Sequence, residues 1–189
     1  MAFVGLKHVV FAPITAETDS AVTYGTGFVV GKAMTANINI TSANVKLYGD
    51  DAVAESDTGF TEGTVDIGVT KMTDDIQVKM LGHTAGTGEG TTGEITAKGS
   101  DQAPYGGLGF YAPKLDDGVR KYRGIWFTKT KASEPNESLS TKQGATAFVT
   151  PSISCAVMED MTGAWKKEKT FDTEAACITW LNTLAGISA

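Results

Sequence analysis

Two short stretches alternate polar and apolar residues one for one: Asn37-Ile38-Asn39-Ile40 and Thr64-Val65-Asp66-Ile67-Gly68-Val69. A period of two is the pattern of a strand with one face packed and the other wet. Other runs are rich in β-branched or aromatic residues and bounded by turn residues. They predict strands at residues 6–11, 36–48, 64–71, 93–98, 108–112, 123–130, 145–150 and 153–158. The spacing of these runs is irregular, and no internal repeat emerges.

Two segments switch to helical periodicity. At residues 74–81, Asp74 with Gln77 three positions on resembles a capping box. Ile76 and Met80 form an i,i+4 apolar pair, and Gly82 supplies a stop. Because Ile76, Val78 and Met80 also alternate, a strand stays open there. Near the C-terminus, Asp172 is placed to cap a helix with Glu174 in its first turn. Cys177, Ile178, Leu181 and Leu184 then line one face before Gly186. Such a helix docks over a sheet. The pattern as a whole predicts one mainly β (α+β) domain spanning residues 1–189, a β-sandwich or barrel-like body with a short internal helix and a C-terminal helix as cover.

Turn-rich stretches at residues 13–27, 85–93 and 132–143 read as surface loops, and loops this long in a compact domain are commonly contact surfaces. As arms of the domain they extend to about 12–33, 49–63, 85–93 and 132–143.

Composition sharpens the picture without changing it. The 26 Thr and 22 Gly favour strands and turns over helices. With 41% apolar and 20% charged residues and a mean hydropathy of −0.08, the chain has the make-up of a folded globular protein rather than a disordered one. No apolar run approaches the ~18 residues of a membrane helix, so no membrane anchor is expected. The opening residues lack an apolar leader core, and the expectation is a protein that matures where it is made. Net charge −6 is the wrong sign for gripping a phosphate backbone. The charge is unevenly spread: residues 50–75 hold eight acidic side chains against one Lys, whereas residues 114–131 hold six basic against two acidic.

Catalytic and cofactor motifs fail on context. Gly88-Glu89-Gly90-Thr91-Thr92-Gly93 matches a dinucleotide fingerprint literally, but it precedes a strand instead of a helix and carries a carboxylate that repels phosphate. His8 and His83 are the only histidines, and neither has a Cys or His at metal-ligand spacing. No serine-nucleophile motif occurs. Asp50-Asp51 and Asp116-Asp117 are adjacent carboxylates that point to opposite faces in a strand. The Asn39 and Asn136 sequons are read as chance matches, and Cys155 and Cys177 as reduced thiols, with a single bridge between them left open. Trp126, Trp165 and Trp180 with Tyr105, Phe110 and Tyr111 offer either a sugar platform or core, and core is the expected use. No catalytic residue, cofactor or metal is expected from these patterns.

A series of short elements in order gives the chain a wider likeness. Gly5-Leu6-Lys7 is followed by Tyr24-Gly25, by Leu47-Tyr48-Gly49-Asp50-Asp51 with Glu55, and by the strand at 63–69. Next come the helix ending Leu81-Gly82-His83, Ala103-Pro104-Tyr105, Leu108-Gly109-Phe110, the strand at 122–129 with Trp126, then Pro135, Thr141-Lys142 and Thr150-Pro151. In this order and spacing the chain resembles the major tail protein, or tail tube protein, of long flexible-tailed bacteriophages of Gram-positive hosts. The resemblance implies a non-enzymatic virion protein, made and assembled in the host cytoplasm. Its copies form hexameric rings stacked into the tube through which DNA leaves the capsid. Partners implied are other copies of itself, a tape-measure protein, a tail terminator and distal tail or baseplate proteins. The acidic segment then supplies candidate lumen or ring-stacking residues: Asp50, Asp51, Glu55, Asp57, Glu62 and Asp66. Carboxylates facing the lumen would let DNA slide without binding. The alternatives are the inner tube of a contractile tail or secretion system, a non-catalytic carbohydrate-binding sandwich, and a small hydrolase.

Overall fold

The structure is a computed structural model that describes residues 2–3, 5–49, 52–57, 59–87, 93–137 and 150–188, with the side chains of 2–3 and 45–57 outside the description. Its spine is a hairpin of two long strands, β11 (Tyr105–Asp116) and β12 (Val119–Ala132). Asp117 and Gly118 join them with φ of 47° and 79°. Two positive φ angles in a two-residue loop match the right-handed twist of the strands on either side. The remaining large strands are β2 (Lys7–Thr18), β3 (Ala21–Tyr24), β4 (Phe28–Gly31), β5 (Ala33–Ser42), β8 (Phe60–Val69), β13 (Ser152–Met158) and β14 (Lys166–Phe171), with β1 (Ala2–Phe3) at the start. All pair antiparallel in one sheet of order β3–β2–β11–β12–β13–β8–β5, with β1 on β11, β4 on β2 and β14 on β12. Strands β6 (Val45–Gly49) and β7 (Ala52–Asp57) extend the β5–β8 hairpin as a separate ribbon. Strands β9 (Thr84–Ala85) and β10 (Ile95–Thr96) make a second small pair.

The sheet has a core on each face. On one, Val9, Phe11, Phe28, Val65, Ile67, Leu108, Phe110, Ile125, Phe127, Ile153 and Cys155 share a cluster with Ile76 of α1 (Asp74–Lys79) and with Met80, which caps that helix. Strands far apart in the sheet order meet in that cluster, so the sheet bends round it. Ala36 and Ile38 of β5 line a mouth of about 250 Å³ with Phe110 and Ile125, strands they do not pair with. On the other face Val10, Tyr111 and Trp126 pack under Cys177, Leu181 and Ala185 of α2 (Glu174–Ala185). The fold is therefore mainly β with one helix inside the bend and one covering the outer face.

Glycines in β11 make room for the largest side chain of this second core. A Cβ at Gly107 would lie 2.1 Å from Trp126, and one at Gly109 would lie 2.5 Å from it. The Trp126 indole lies on bare backbone and donates to Tyr24 Oη at 3.3 Å, and Tyr24 in turn donates to the Thr128 carbonyl at 2.8 Å. Burial pushes the Tyr24 phenol up to about 12, keeping it a donor. Cys155 and Cys177 are free and fully buried in the two different cores, on opposite faces of the sheet. Burial lifts their thiols to about 12 and about 11.

Several sequence expectations are corrected. Residues 13–27 are not a free loop. Most of them form the β2–β3 hairpin, held down by Tyr24 and by Glu17, whose carboxylate accepts from the Lys129 ammonium at 2.8 Å and the Met161 amide at 2.7 Å. The stretch at 36–48 is two strands, and the one at 93–98 contracts to Ile95–Thr96. Strand β14 was not expected at all. Thr73 and Thr173, not Asp74 and Asp172, cap the helices, each accepting from a backbone N–H three residues on. Gly186 ends α2 in the left-handed region at φ 63°, as its position suggested. The strand expected at 145–150 lies outside the described residues except for Thr150, which is not in a strand. The loops at 85–93 and 132–143 are described only in part.

Candidate assembly interface

Of the six acidic candidates, Asp50 and Asp51 lie outside the described residues, and Glu55 and Asp57 sit on β7, whose side chains are not described. Glu62 and Asp66 are on β8. Alternation there puts Gly63, Val65, Ile67 and Val69 inward and buried, with exposed Glu62 and half-buried Asp66 on the outer face. Register brings Thr41 of β5 opposite Glu62. Asn37 of β5 and Ser154 of β13 flank Asp66. Across β5, β8 and β13 these two carboxylates are the only charged side chains, so the outer surface of three adjacent strands is polar and purely acidic.

Strand β5 adds a feature that the candidate set did not include. It ends the sheet order, and its far side pairs with no other described strand. Ten residues long, it has neither charge nor proline. Met34, Ile38 and Ile40 expose 56%, 39% and 38% of their surface. Ile40 lies over Gly63, whose missing side chain lets the isoleucine flatten onto β8. Met34 occupies a bulge between Ala33 and Thr35. Natural sheets normally blunt an edge with charge, proline or shortness. Strand β14 does so with Lys166, Lys167, Glu168 and Lys169, and β3 and β4 do so by being four residues long. Edge β5 lacks charge, proline and shortness, and its two bulges, between Ala33 and Thr35 and between Thr41 and Ser42, lie at its ends and leave residues 35–41 in regular register. The sequence shows the ten uncharged residues of 33–42 but not their place at the end of the sheet order.

The remaining chemistry-bearing residues are dispersed. His8 adopts φ 55° on β2 and places Nε2 2.8 Å from Asn182 Oδ1, tying that strand to α2. Glu174 accepts hydrogen bonds from the Tyr111 hydroxyl and the Lys7 ammonium, which hold its carboxyl below the usual range. His83 lies between Asp101 and Glu134, but the carboxylates approach opposite ring nitrogens, so the three do not converge on one ion. Among the described residues no three His, Cys, Asp or Glu side chains are arranged to hold a metal. Gly93 leads from the literal fingerprint into β10 and not into a helix. Trp126, Phe110 and Tyr111 are buried, Trp165 stacks on Phe60 at 4.5 Å, and Trp180 packs on Phe171. Only Tyr105 of the six aromatics is an exposed ring, and Lys129 and Lys131 lie over it. They do not assemble into a platform.

Comparison with protein-family models gives no match, and none of the curated proteins compared matches the chain. The functional reading therefore rests on the sheet edge and the surface beside it.

Proposed function

We propose that this chain is a self-assembling structural subunit that forms rings, and that the rings stack into a tube of the kind found in long-tailed bacteriophages. The observation that carries the reading is β5, an uncharged ten-residue edge with apolar side chains beside it. Pairing that edge with a neighbouring copy satisfies its backbone groups and covers Met34, Ile38 and Ile40 in one step. Two different patches meeting head to tail close into a ring when the rotation allows, and each ring so made presents the same two unlike faces, one of which can stack on the other face of the next ring. The acid-only outer face of β5, β8 and β13 would give such a tube a wall that repels phosphate, as a DNA conduit requires. Tape-measure, terminator and distal tail proteins are the partners that this role calls for.

Negative-stain electron microscopy of the purified protein, from dilute to highly concentrated solution, tests the proposal. Hollow tubes or six-fold rings are expected for the wild type. Ile40→Lys is expected to remain folded by circular dichroism yet stay monomeric, because one ammonium on the edge disfavours pairing. Compact single particles at every wild-type concentration would count against the tube reading, and tubes formed by Ile40→Lys would remove β5 from it.

A further inference from the structure

His83 follows α1 and enters β9 with its side chain only 8% exposed. Its Nδ1 lies 3.2 Å from Asp101 Oδ2 and its Nε2 lies 3.0 Å from Glu134 Oε2. The two carboxylates differ in freedom. Asp101 is 13% exposed, and its Oδ2 also accepts the Lys98 amide at 2.8 Å. That backbone bond, with the one to His83, holds the Asp101 carboxyl below the usual carboxylate range, so it is ionised near neutrality. Gly82 at φ 82° fixes the approach: a Cβ there would meet the Gln102 carbonyl at 2.4 Å, so the chain around 82 and that around 102 lie backbone to backbone. Glu134 is 66% exposed and stands in the non-regular segment 133–137 that leaves β12.

Counting protons shows what this arrangement demands. A neutral imidazole has one N–H, and an ionised carboxylate only accepts. Contact with two carboxylates at hydrogen-bond distance therefore needs a second proton, on the ring or shared between Nε2 and Glu134. Without it, a nitrogen lone pair faces a carboxylate oxygen at 3.0 Å. Among the described residues, the other charges that line the same cleft of about 450 Å³ are Lys98 and Lys131. They oppose the extra positive charge, although the Lys131 ammonium is turned over the Tyr105 ring at 5.2 Å. Helix α1 sends no charged side chain to the cleft lining, and its Lys79 is paired with Asp75 at 2.7 Å. Strand β13 contributes only a backbone carbonyl, Ser154 O, to the Ser133 amide.

We infer that His83 is a proton-operated clasp that binds segment 133–137 to the turn after α1 when the ring is doubly protonated, and releases it through Glu134 when the ring is neutral. On losing a proton to solvent the ring keeps Nδ1–H on the fixed Asp101, and the exposed Glu134 swings away at little cost. Imidazole is the side chain suited to act in this way, because its ring can carry either one proton or two. The inference is independent of the tube reading, since it concerns a contact within one chain.

The test uses the full chain in dilute solution. Long-range ¹H–¹⁵N spectra of the His83 ring report its protonation state from pH 5 to 8, and amide hydrogen exchange, corrected for intrinsic rates, reports protection in 133–137. The expected result is a doubly protonated ring with protected amides at the acid end, and an about tenfold loss of protection as the ring becomes neutral. Glu134→Gln is expected to flatten the profile, because a carboxamide can accept from the charged ring or donate to the neutral one. Glu134 is exposed, so that variant folds. A neutral ring at pH 5, or the same pH profile in Glu134→Gln as in wild type, would overturn the inference.

Discussion

Asp160 is 7% exposed in the connection between β13 and β14. Burial works against its ionisation. The Thr162 hydroxyl and the Thr162 and Ala164 amides, all donating to Oδ1 at 2.6–3.1 Å, outweigh that penalty and hold the carboxyl below its ordinary value. A group depressed in the folded state stabilises above its unfolded pKa, about 3.9 for Asp, and that stabilisation is lost as pH falls through the folded value. Asp160→Asn keeps the Oδ1 acceptor and removes the titration, so its urea midpoint is expected to fall less steeply than wild type below about pH 4. Asp160→Ala strands three donors and is expected to cost about 2–3 kcal/mol at neutral pH. Equal acid limbs for wild type and Asp160→Asn would show that the carboxylate is not what acid attacks.

At the level of elements, what the sequence shows depends on how each element is stabilised. The inward positions of β8 and the apolar face of α2 are legible because burial selects their side chains: Val65, Ile67 and Val69 in one, Cys177 and Leu181 in the other. Strand β14 is not, since Lys-Lys-Glu-Lys joins the sheet through backbone bonds to β12 while its side chains face water or pair with neighbours, as Glu168 does with Arg123 at 2.5 Å. The β2–β3 hairpin is hidden for the same reason. Its anchors, Tyr24 and Glu17, reach partners more than 100 residues away that no local pattern announces. The candidate site follows suit: the acidic segment was readable by composition, whereas the open edge of β5 depends on which strands lie beside it. The end of α2 illustrates a local rule that does hold. At φ 63° an alanine is strained, and its Cβ would come 2.9 Å from the Gly25 carbonyl. Gly186→Ala is expected to destabilise by about 1–2 kcal/mol, read as a lower urea midpoint. An unchanged midpoint would mean that α2 ends differently in solution.

For the whole molecule the question is what the acid-only surface does. If the outer face of β5, β8 and β13 lines a tube, Glu62→Lys with Asp66→Lys turns a repelling wall into a binding one. Tubes of this double variant are expected still to assemble, and to retain DNA in a filter or sedimentation assay. That retention should fall steeply with salt, close to one unit of log–log slope per phosphate neutralised. Wild-type tubes are expected to retain none. Assembly with no gain in DNA retention would place both residues away from the lumen.

The route of the chain through the sheet also has a consequence in time. Strand β2 ends by residue 18, yet its neighbour β11 begins only at residue 105, and α2, which covers Val10 and Trp126, begins only at residue 174. Contacts between distant parts of a chain must close large loops before they gain anything, and proteins dominated by them fold slowly. The β5–β8 hairpin is local by comparison and can pair long before the spine exists. A newly made chain therefore displays this unpaired edge ahead of the body that should orient it, and the interval between the two is when wrong partners are most easily taken.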